Sequence, residues 1–397
     1  MRKLLAVVAL AATVAVAAVV ATASGDPGKE TKAGGHAFEH VFVIMLENHS
    51  QSSVIDDVNA PYITALAHKY AMASNYYGVT HPSEPNYVAS ISGSNWGVND
   101  DQSTNRYDHL NIVDLLEGNH LTWAAYMESM PSAGFTGDQY PENAALYVNK
   151  HNPFVLFDDI RSDPSRLQHI KPYSDFANDM KSNKLPNYVW ISPNQCHDMH
   201  GGVFTQIASD GSDGTPCPYG STKDDPNDAS LKKKADDFVK GAVQTIMSTT
   251  DWKNGHTAIF IVTDENDFVG TNDATDDWES AEGCCDSPYL PPFYRFLGSN
   301  GQPDGNVWAG GVYGGGKIPA IVMTAKGKSG FVSDTPHNHY SMLSTILWNW
   351  GLPPLANTAD TLNVKPMTEF FTKGKGSGSH RGDDEGHGKG KGKGKHH

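Results

Sequence analysis

Residues 40–50 read HVFVIMLENHS, and the fold turns on how that stretch is read. Residues 41–46 are an unbroken run of six apolar side chains, closed by Glu47, Asn48 and His49. A short run of this kind, β-branched and aromatic and bounded by polar residues, predicts a strand buried on both faces, as in a parallel sheet. In an open α/β sheet, ligands gather just beyond the carboxyl ends of the strands. Glu47 and Asn48 stand at that place, with a carboxylate and an amide oxygen to offer. Taken alone, the start of a loop or a helix cap would account for them as well.

The pattern recurs. Strands are predicted over 121–127 (LTWAAYM), 187–192 (NYVWIS), 257–263 (TAIFIVT) and 317–324 (KIPAIVMT). Helical spacing is present over 60–72, 110–117, 231–248 and 341–350. Alternation of this kind gives an α/β fold with a mostly parallel sheet. The Pro-, Asn-, Asp- and aromatic-rich stretch 131–182 reads as loops and short helices over the active edge, and 201–230 and 268–315 read as further long inserted loops. The strongest strand after the first, 257–263, runs into Asp264-Glu265. Two of the best strands therefore end in carboxylates, and a divalent cation needs several hard oxygen ligands converging from separate elements.

A hydroxyl joins them. Residues 76–93 read YYGVTHPSEPNYVASISG. Pro82 and Pro85 fix a turn, a short helix is expected over 86–92, and Ser83 falls at or just ahead of its N-terminus. Free N–H groups and the helix dipole there stabilise an alkoxide or a phosphate; serine is also a good N-cap, which is the purely structural alternative. His197, Asp198 and His200 follow a strand within four positions, and His337 and His339 precede the last helix. Oxygen ligands, a serine and several histidines suit metal-assisted phosphoryl transfer. In that chemistry the serine attacks phosphorus, a covalent phosphoenzyme forms, and a histidine protonates the leaving alcohol. A Ser-His-Asp esterase fits less well. No G-x-S-x-G surrounds Ser83, and such a site has no need of paired carboxylates at two strand ends.

The chain of 397 residues has legible ends. Arg2 and Lys3 precede an apolar run over 4–20 and small residues at 21–23, so residues 1–23 are expected to be a secretory signal peptide; an uncleaved anchor is the alternative. A short linker (24–37) leads to one domain over 38–372, and residues 373–397 form a Gly/Lys/His-rich tail expected to be disordered. The tail carries seven basic and three acidic residues, which leaves −19 on the rest of a chain whose net charge is −15. So acidic a body argues against nucleic acid as a partner. No later stretch would span a membrane. The tail suits contact with anionic cell-surface polymers, although a solvated tail explains it equally. Cys196, Cys217, Cys284 and Cys285 fit one or two disulfides in an oxidising compartment, with three connectivities open and a bridge between the adjacent pair among them.

The stretches VIMLENHS, THPSEPNYVASISG, SPNQCHDMH, TDEND and HNHYSMLSTIL, spanning about 38–353, resemble the bacterial and fungal phosphoesterase family. It holds secreted acid phosphatases and phospholipases C within the alkaline phosphatase-like superfamily. The resemblance implies an alkaline phosphatase-like α/β/α sandwich. By position it makes Glu47, Asn48, Ser83, Asp264 and Glu265 the metal ligands. It makes Ser83 the nucleophile, His339 and His197 catalytic, and His81, His200 and Asn86 substrate-binding residues. Some relatives carry Asp-Asp where this chain has Asp264-Glu265. One divalent ion is implied, with a second as an open alternative. The implied activity is a secreted phosphomonoesterase; a phospholipase C or other phosphodiesterase on the same site is the alternative. The aromatics Tyr140, Tyr147, Phe154, Phe157, Tyr289, Phe293 and Tyr294 keep lipid or nucleotide stacking open. A sulfatase is disfavoured because Ser83-Glu84-Pro85-Asn86-Tyr87 lacks the arginine of a C/S-x-P-x-R motif. A non-catalytic polyanion-binding protein would place function in the tail alone.

Overall fold

The computed structural model describes residues 37–182, 185–202, 217–220, 226–266, 282–288, 295–297, 303–307 and 314–371. The expected signal peptide, all but the end of the linker, and the tail lie outside them. His40–Leu46 is a strand buried at every position, and Thr257–Thr263, equally buried, pairs with it in parallel. They lie at the middle of an eight-stranded sheet. From one edge its order is Phe331–Ser333, Ala71–Ala73, Ala320–Thr324, Thr257–Thr263, His40–Leu46, Tyr188–Ser192, Trp123–Met127 and Ile170–Pro172. Ala320–Thr324 is antiparallel to both its neighbours; the other five pairings are parallel.

Side chains alternate across the sheet, and both faces are covered. Val41, Val43 and Met45 pack with Tyr87, Val88 and Ile91 of helix Ser83–Ser92 and with Met342, Leu343 and Ile346 of helix His339–Trp350. On the other face, Phe42, Ile44 and Leu46 pack with Ile63 and Leu66 of Pro61–Lys69 and with Val239, Val243 and Ile246 of Pro226–Ser248. This double burial is why the strands read as continuous apolar runs. Among the described residues no helix is long and apolar enough to cross a membrane.

The structure differs from expectation where elements are short. The helix expected over 60–72 stops at Lys69, and Ala71–Ala73 becomes a strand. The stretch 131–182 contributes Ile170–Pro172 to the sheet edge. Three residues are too few for any periodicity to register. The helix expected over 86–92 begins at Ser83 and runs through Pro85, since first-turn N–H groups have no partner to lose. His339 is likewise the first residue of its helix rather than a residue ahead of it, with Asn338 as N-cap accepting from the N–H groups of Tyr340 and Ser341. Tyr147, Phe154 and Phe157 are buried core residues rather than a stacking rim; Tyr289, Phe293 and Tyr294 lie outside the described residues. The cysteines pair as Cys196–Cys217 and Cys284–Cys285.

Ile44 sits on the central strand with no exposed surface. Ile44→Ala should lower unfolding free energy in urea by about 2–5 kcal/mol, the usual cost of such a cavity. Val332→Ala, at a half-exposed edge position, should change it by less than about 0.5 kcal/mol.

Candidate active site

The register of the two central strands builds the site. Leu46 lies opposite Thr263, so the next residues, Glu47-Asn48 and Asp264-Glu265, emerge side by side. The Asp264 N–H donates to the Leu46 carbonyl (3.0 Å) and the Asn48 N–H to Asp264 Oδ1 (3.0 Å). The segment after Tyr188–Ser192 joins them, its Asp198 carbonyl accepting from the Glu47 N–H at 2.7 Å. Three strand ends thus meet.

Helix Ser83–Ser92 delivers the hydroxyl. Ser83 Oγ lies 3.0 Å from Glu47 Oε2 and 3.0 Å from Glu265 Oε1. The loop before it is held by Asn86. Its Oδ1 accepts from the N–H groups of Val79 (2.7 Å) and Thr80 (3.1 Å), and its Nδ2 donates to the carbonyls of Thr80 (2.6 Å) and Pro82 (3.1 Å). Both ends of the amide are then committed. Asn86, expected to bind substrate, fixes the turn that aims Ser83. Gly78 and Gly315 let that loop approach the strand ends: a Cβ on Gly78 would stand 2.9 Å from the Asp264 carbonyl and from Gly315.

Burial dominates the electrostatics. Glu47, Asp264, Glu265 and Asp198 have essentially no exposed surface. Desolvation first, then mutual repulsion, pushes the carboxyls of Glu47, Asp198 and Asp264 well above their usual range; in Glu265, burial again leads, with Asp101 adding to it. Asp264 Oδ2 makes no hydrogen bond, while Glu47 Oε1 and Asp198 Oδ2 face the His151 ring at 3.1 and 3.3 Å. Between Glu47 and Glu265 sits the Asn48 amide, its oxygen turned towards their carboxylate oxygens and 3.5 Å from Ser83 Oγ. Crowded carboxylates, an unpartnered Asp264 oxygen and an amide oxygen set among acceptors are what a divalent cation would relieve. The oxygen set of Glu47, Asn48, Ser83, Asp264 and Glu265 fits such an ion. A separate group, Glu39, Asp251 and His256, brings its donor atoms within 4.8 Å of one another. It lies at the surface, at the opposite ends of the same strands, and exposed acidic groups of this kind are common without an ion.

The histidines divide. The His81 Nδ1 is hydrogen-bonded to Glu265 Oε2, beside Ser83. His200 stays near the cluster: its N–H donates to Asp198 Oδ1 (2.8 Å), and burial lowers its imidazole to about 3. His339 places Nε2 2.6 Å from the Asp264 carbonyl and Nδ1 3.2 Å from the Tyr76 hydroxyl, and burial lowers it to about 4. It therefore supports the acidic pair from its backbone side. His197 turns away: Nδ1 lies 2.9 Å from both oxygens of Glu128, and the ring stacks on Phe238. Among the described residues the Ser83 hydroxyl is hydrogen-bonded to neither of these two, which were expected to be catalytic. His337 pairs with Glu369 at 2.7 Å.

Sequence reasoning missed His151. It lies between two carboxylates, Nε2 3.1 Å from Glu47 Oε1 and Nδ1 3.3 Å from Asp198 Oδ2, and stacks on Tyr87. A signal was available in the polar block Asn149-Lys150-His151-Asn152, set between the apolar Tyr147-Val148 and 153–157. Glu84, next to Ser83, is also enclosed. Its Oε1 accepts from Asn105 and Tyr107, and burial raises it to about 8.

A family model described as "Phosphoesterase family" matches residues 54–212 and 218–353. The chain belongs to the Phosphoesterase family. Among curated relatives, a "Probable acid phosphatase" of Kluyveromyces lactis is 30% identical over 334 residues, 83% of this chain and 62% of that protein. A "Phosphate-repressible acid phosphatase" of Penicillium chrysogenum is 28% identical over 323 residues, 81% of this chain and 61% of its own. A "Phosphatidylinositol-3-phosphatase" of Mycobacterium tuberculosis is 32% identical over 170 residues, 43% and 54% respectively. This phosphoesterase-family chain thus spans about six-tenths of the length of the relatives it matches most fully. Among solved structures, a phosphonate monoester hydrolase of Agrobacterium radiobacter aligns with TM-score 0.45 and 13% identity, over 80% of this chain and 74% of that one. A protein in the alkaline phosphatase superfamily from Vibrio parahaemolyticus aligns with TM-score 0.45 and 11% identity, over 78% and 66%.

The role given to Asn86 has a measurable consequence. Asn86→Ala strands two buried loop N–H groups and should cost about 1–3 kcal/mol in thermal or chemical unfolding. A residue that only touched substrate would leave unfolding unchanged.

Proposed function

We propose that this chain is a secreted, metal-dependent phosphomonoesterase that works through a phosphoserine at Ser83. The observation that carries the reading is the Ser83 hydroxyl, shared at 3.0 Å between Glu47 and Glu265 at the first residue of a buried helix. A carboxylate at that distance takes the hydroxyl proton as Oγ attacks phosphorus in line. The ester P–O bond breaks, and the alcohol leaves with a proton. His81, tied to Glu265 beside the nucleophile, is assigned the proton transfer in place of His339 and His197. Water then cleaves the phosphoserine, releasing phosphate and restoring the hydroxyl. Glu47, Asn48, Ser83, Asp264 and Glu265 would hold a divalent cation. When bound, it would supply a lowered hydroxyl pKa and neutralisation of the phosphate charge. The acid phosphatase relatives support the monoester as substrate. Export rests on residues 1–23 and on the disulfides.

The chain would be assayed on p-nitrophenyl phosphate, bis-p-nitrophenyl phosphate and p-nitrophenyl phosphorylcholine. Monoester turnover is expected, at least about 1,000-fold lower in Ser83→Ala, lost in Asp264→Ala and lost in EDTA with recovery on adding a divalent ion. Preference for either diester would turn the reading to a phosphodiesterase or phospholipase C. Undiminished activity in Ser83→Ala would remove Ser83 as nucleophile.

A further inference from the structure

Apart from any bound ion, the described residues around Ser83 are dominated by negative charge, and a phosphate monoester arrives as a dianion. One ammonium reaches this region. Lys150 lies in the short helical turn Asn149–His151, which is pinned by the Asn149 N–H to the Asp138 carbonyl (2.8 Å) and by Asn149 Nδ2 to the Ser103 carbonyl (2.9 Å). Its Nζ contacts Asp101 Oδ2 at 2.7 Å, and Asp101 Oδ1 accepts the N–H of Glu84, the residue after Ser83, at 2.9 Å. The next residue, His151, touches Glu47. Lys150 is thus linked to both sides of the nucleophile.

Its charge is felt there. Burial alone would lower the ammonium, but Asp101, Glu47 and Glu265 more than offset that and hold it above the usual lysine value. In return Lys150 draws down the carboxyls of Glu47, Asp198 and Glu265. Asp101 takes up one of its three possible donor directions, and 19% of the side chain remains exposed.

From this placement we infer that Lys150 is the phosphate-binding cation of the Ser83 site, and that it sets a preference for dianionic phosphate monoesters over monoanionic diesters. The inference rests on the phosphomonoesterase reading above. A monoester has one more anionic oxygen than a diester, and a charge-assisted hydrogen bond to that oxygen is the stronger kind. The Asp101 contact orients the ammonium. Because Asp101 also binds the Glu84 N–H, the competing account is that Lys150 serves only to hold the start of the nucleophile helix.

The experiment compares wild type with Lys150→Met, Lys150→Arg and Asp101→Asn. Readouts are kcat/KM on p-nitrophenyl phosphate and on bis-p-nitrophenyl phosphate, and the Kd of inorganic phosphate by calorimetry. Lys150→Met should lower monoester kcat/KM by about 10- to 100-fold and weaken phosphate binding comparably, with diester turnover changed only a few-fold. Lys150→Arg should restore much of both, and Asp101→Asn, which keeps the ammonium, should retain the monoester preference. Equal losses on the two esters, or unchanged phosphate binding in Lys150→Met, would overturn the inference. So would Asp101→Asn reproducing the Lys150→Met pattern, because the helix-holding account predicts that. Ser83→Ala, run alongside, separates the two levels: it tests the nucleophile and leaves the Lys150 effect on phosphate affinity to be read independently.

Discussion

The parallel register between His40–Leu46 and Thr257–Thr263 is the constraint from which the site follows. With Leu46 opposite Thr263, Glu47-Asn48 and Asp264-Glu265 leave the sheet at the same height, and a slip of one residue would send their side chains to opposite faces. That register is enforced by burial on both faces. Phe42, Ile44 and Leu46 belong to one core, Val41, Val43 and Met45 to the other. The hydrophobic effect, which has no interest in catalysis, therefore sets the distance between charges that would otherwise repel.

Around that seam the structure invests in support. Asn86 spends its whole amide on the loop before Ser83. Paired glycines at 78 and 315 allow the loop backbone to pass close to Asp264, and His339 takes the Asp264 carbonyl from the other side. Each removes freedom from the segments around Ser83 and Asp264, so that four buried carboxyls can be held together despite the cost of desolvating them. Unrelieved, such a cluster would hold protons; a cation is the natural counterweight, and Lys150 adds a smaller one at the rim.

Much of this was legible in the chain. The strands at 41–46 and 257–263 announced themselves because doubly buried strands must be apolar throughout, and the polar residues that end them had to lie at the ligand-binding edge. Glu47, Asn48, Asp264 and Glu265 followed from those ends and Ser83 from the proline turn ahead of its helix, and the structure brings the five together. The histidines were not legible in the same way. A histidine near a strand end can face the site or turn from it, and the direction depends on which partner it meets: Glu128 and Phe238 for His197, the Asp264 carbonyl and Tyr76 for His339.

Sequence by itself determined the α/β class, the central strands and the residues that end them, because those depend on local apolar pattern and on chain direction. Tertiary structure alone decided that Asn86 is a brace and that His151 and Lys150 belong to the site. It also decided that Cys284 pairs with Cys285. The Asn86 and Cys284 contacts are local, whereas those of His151 and Lys150 join segments far apart in the chain, 47 with 151 and 101 with 150, and no local pattern encodes which of several polar neighbours a side chain will meet once the core has closed.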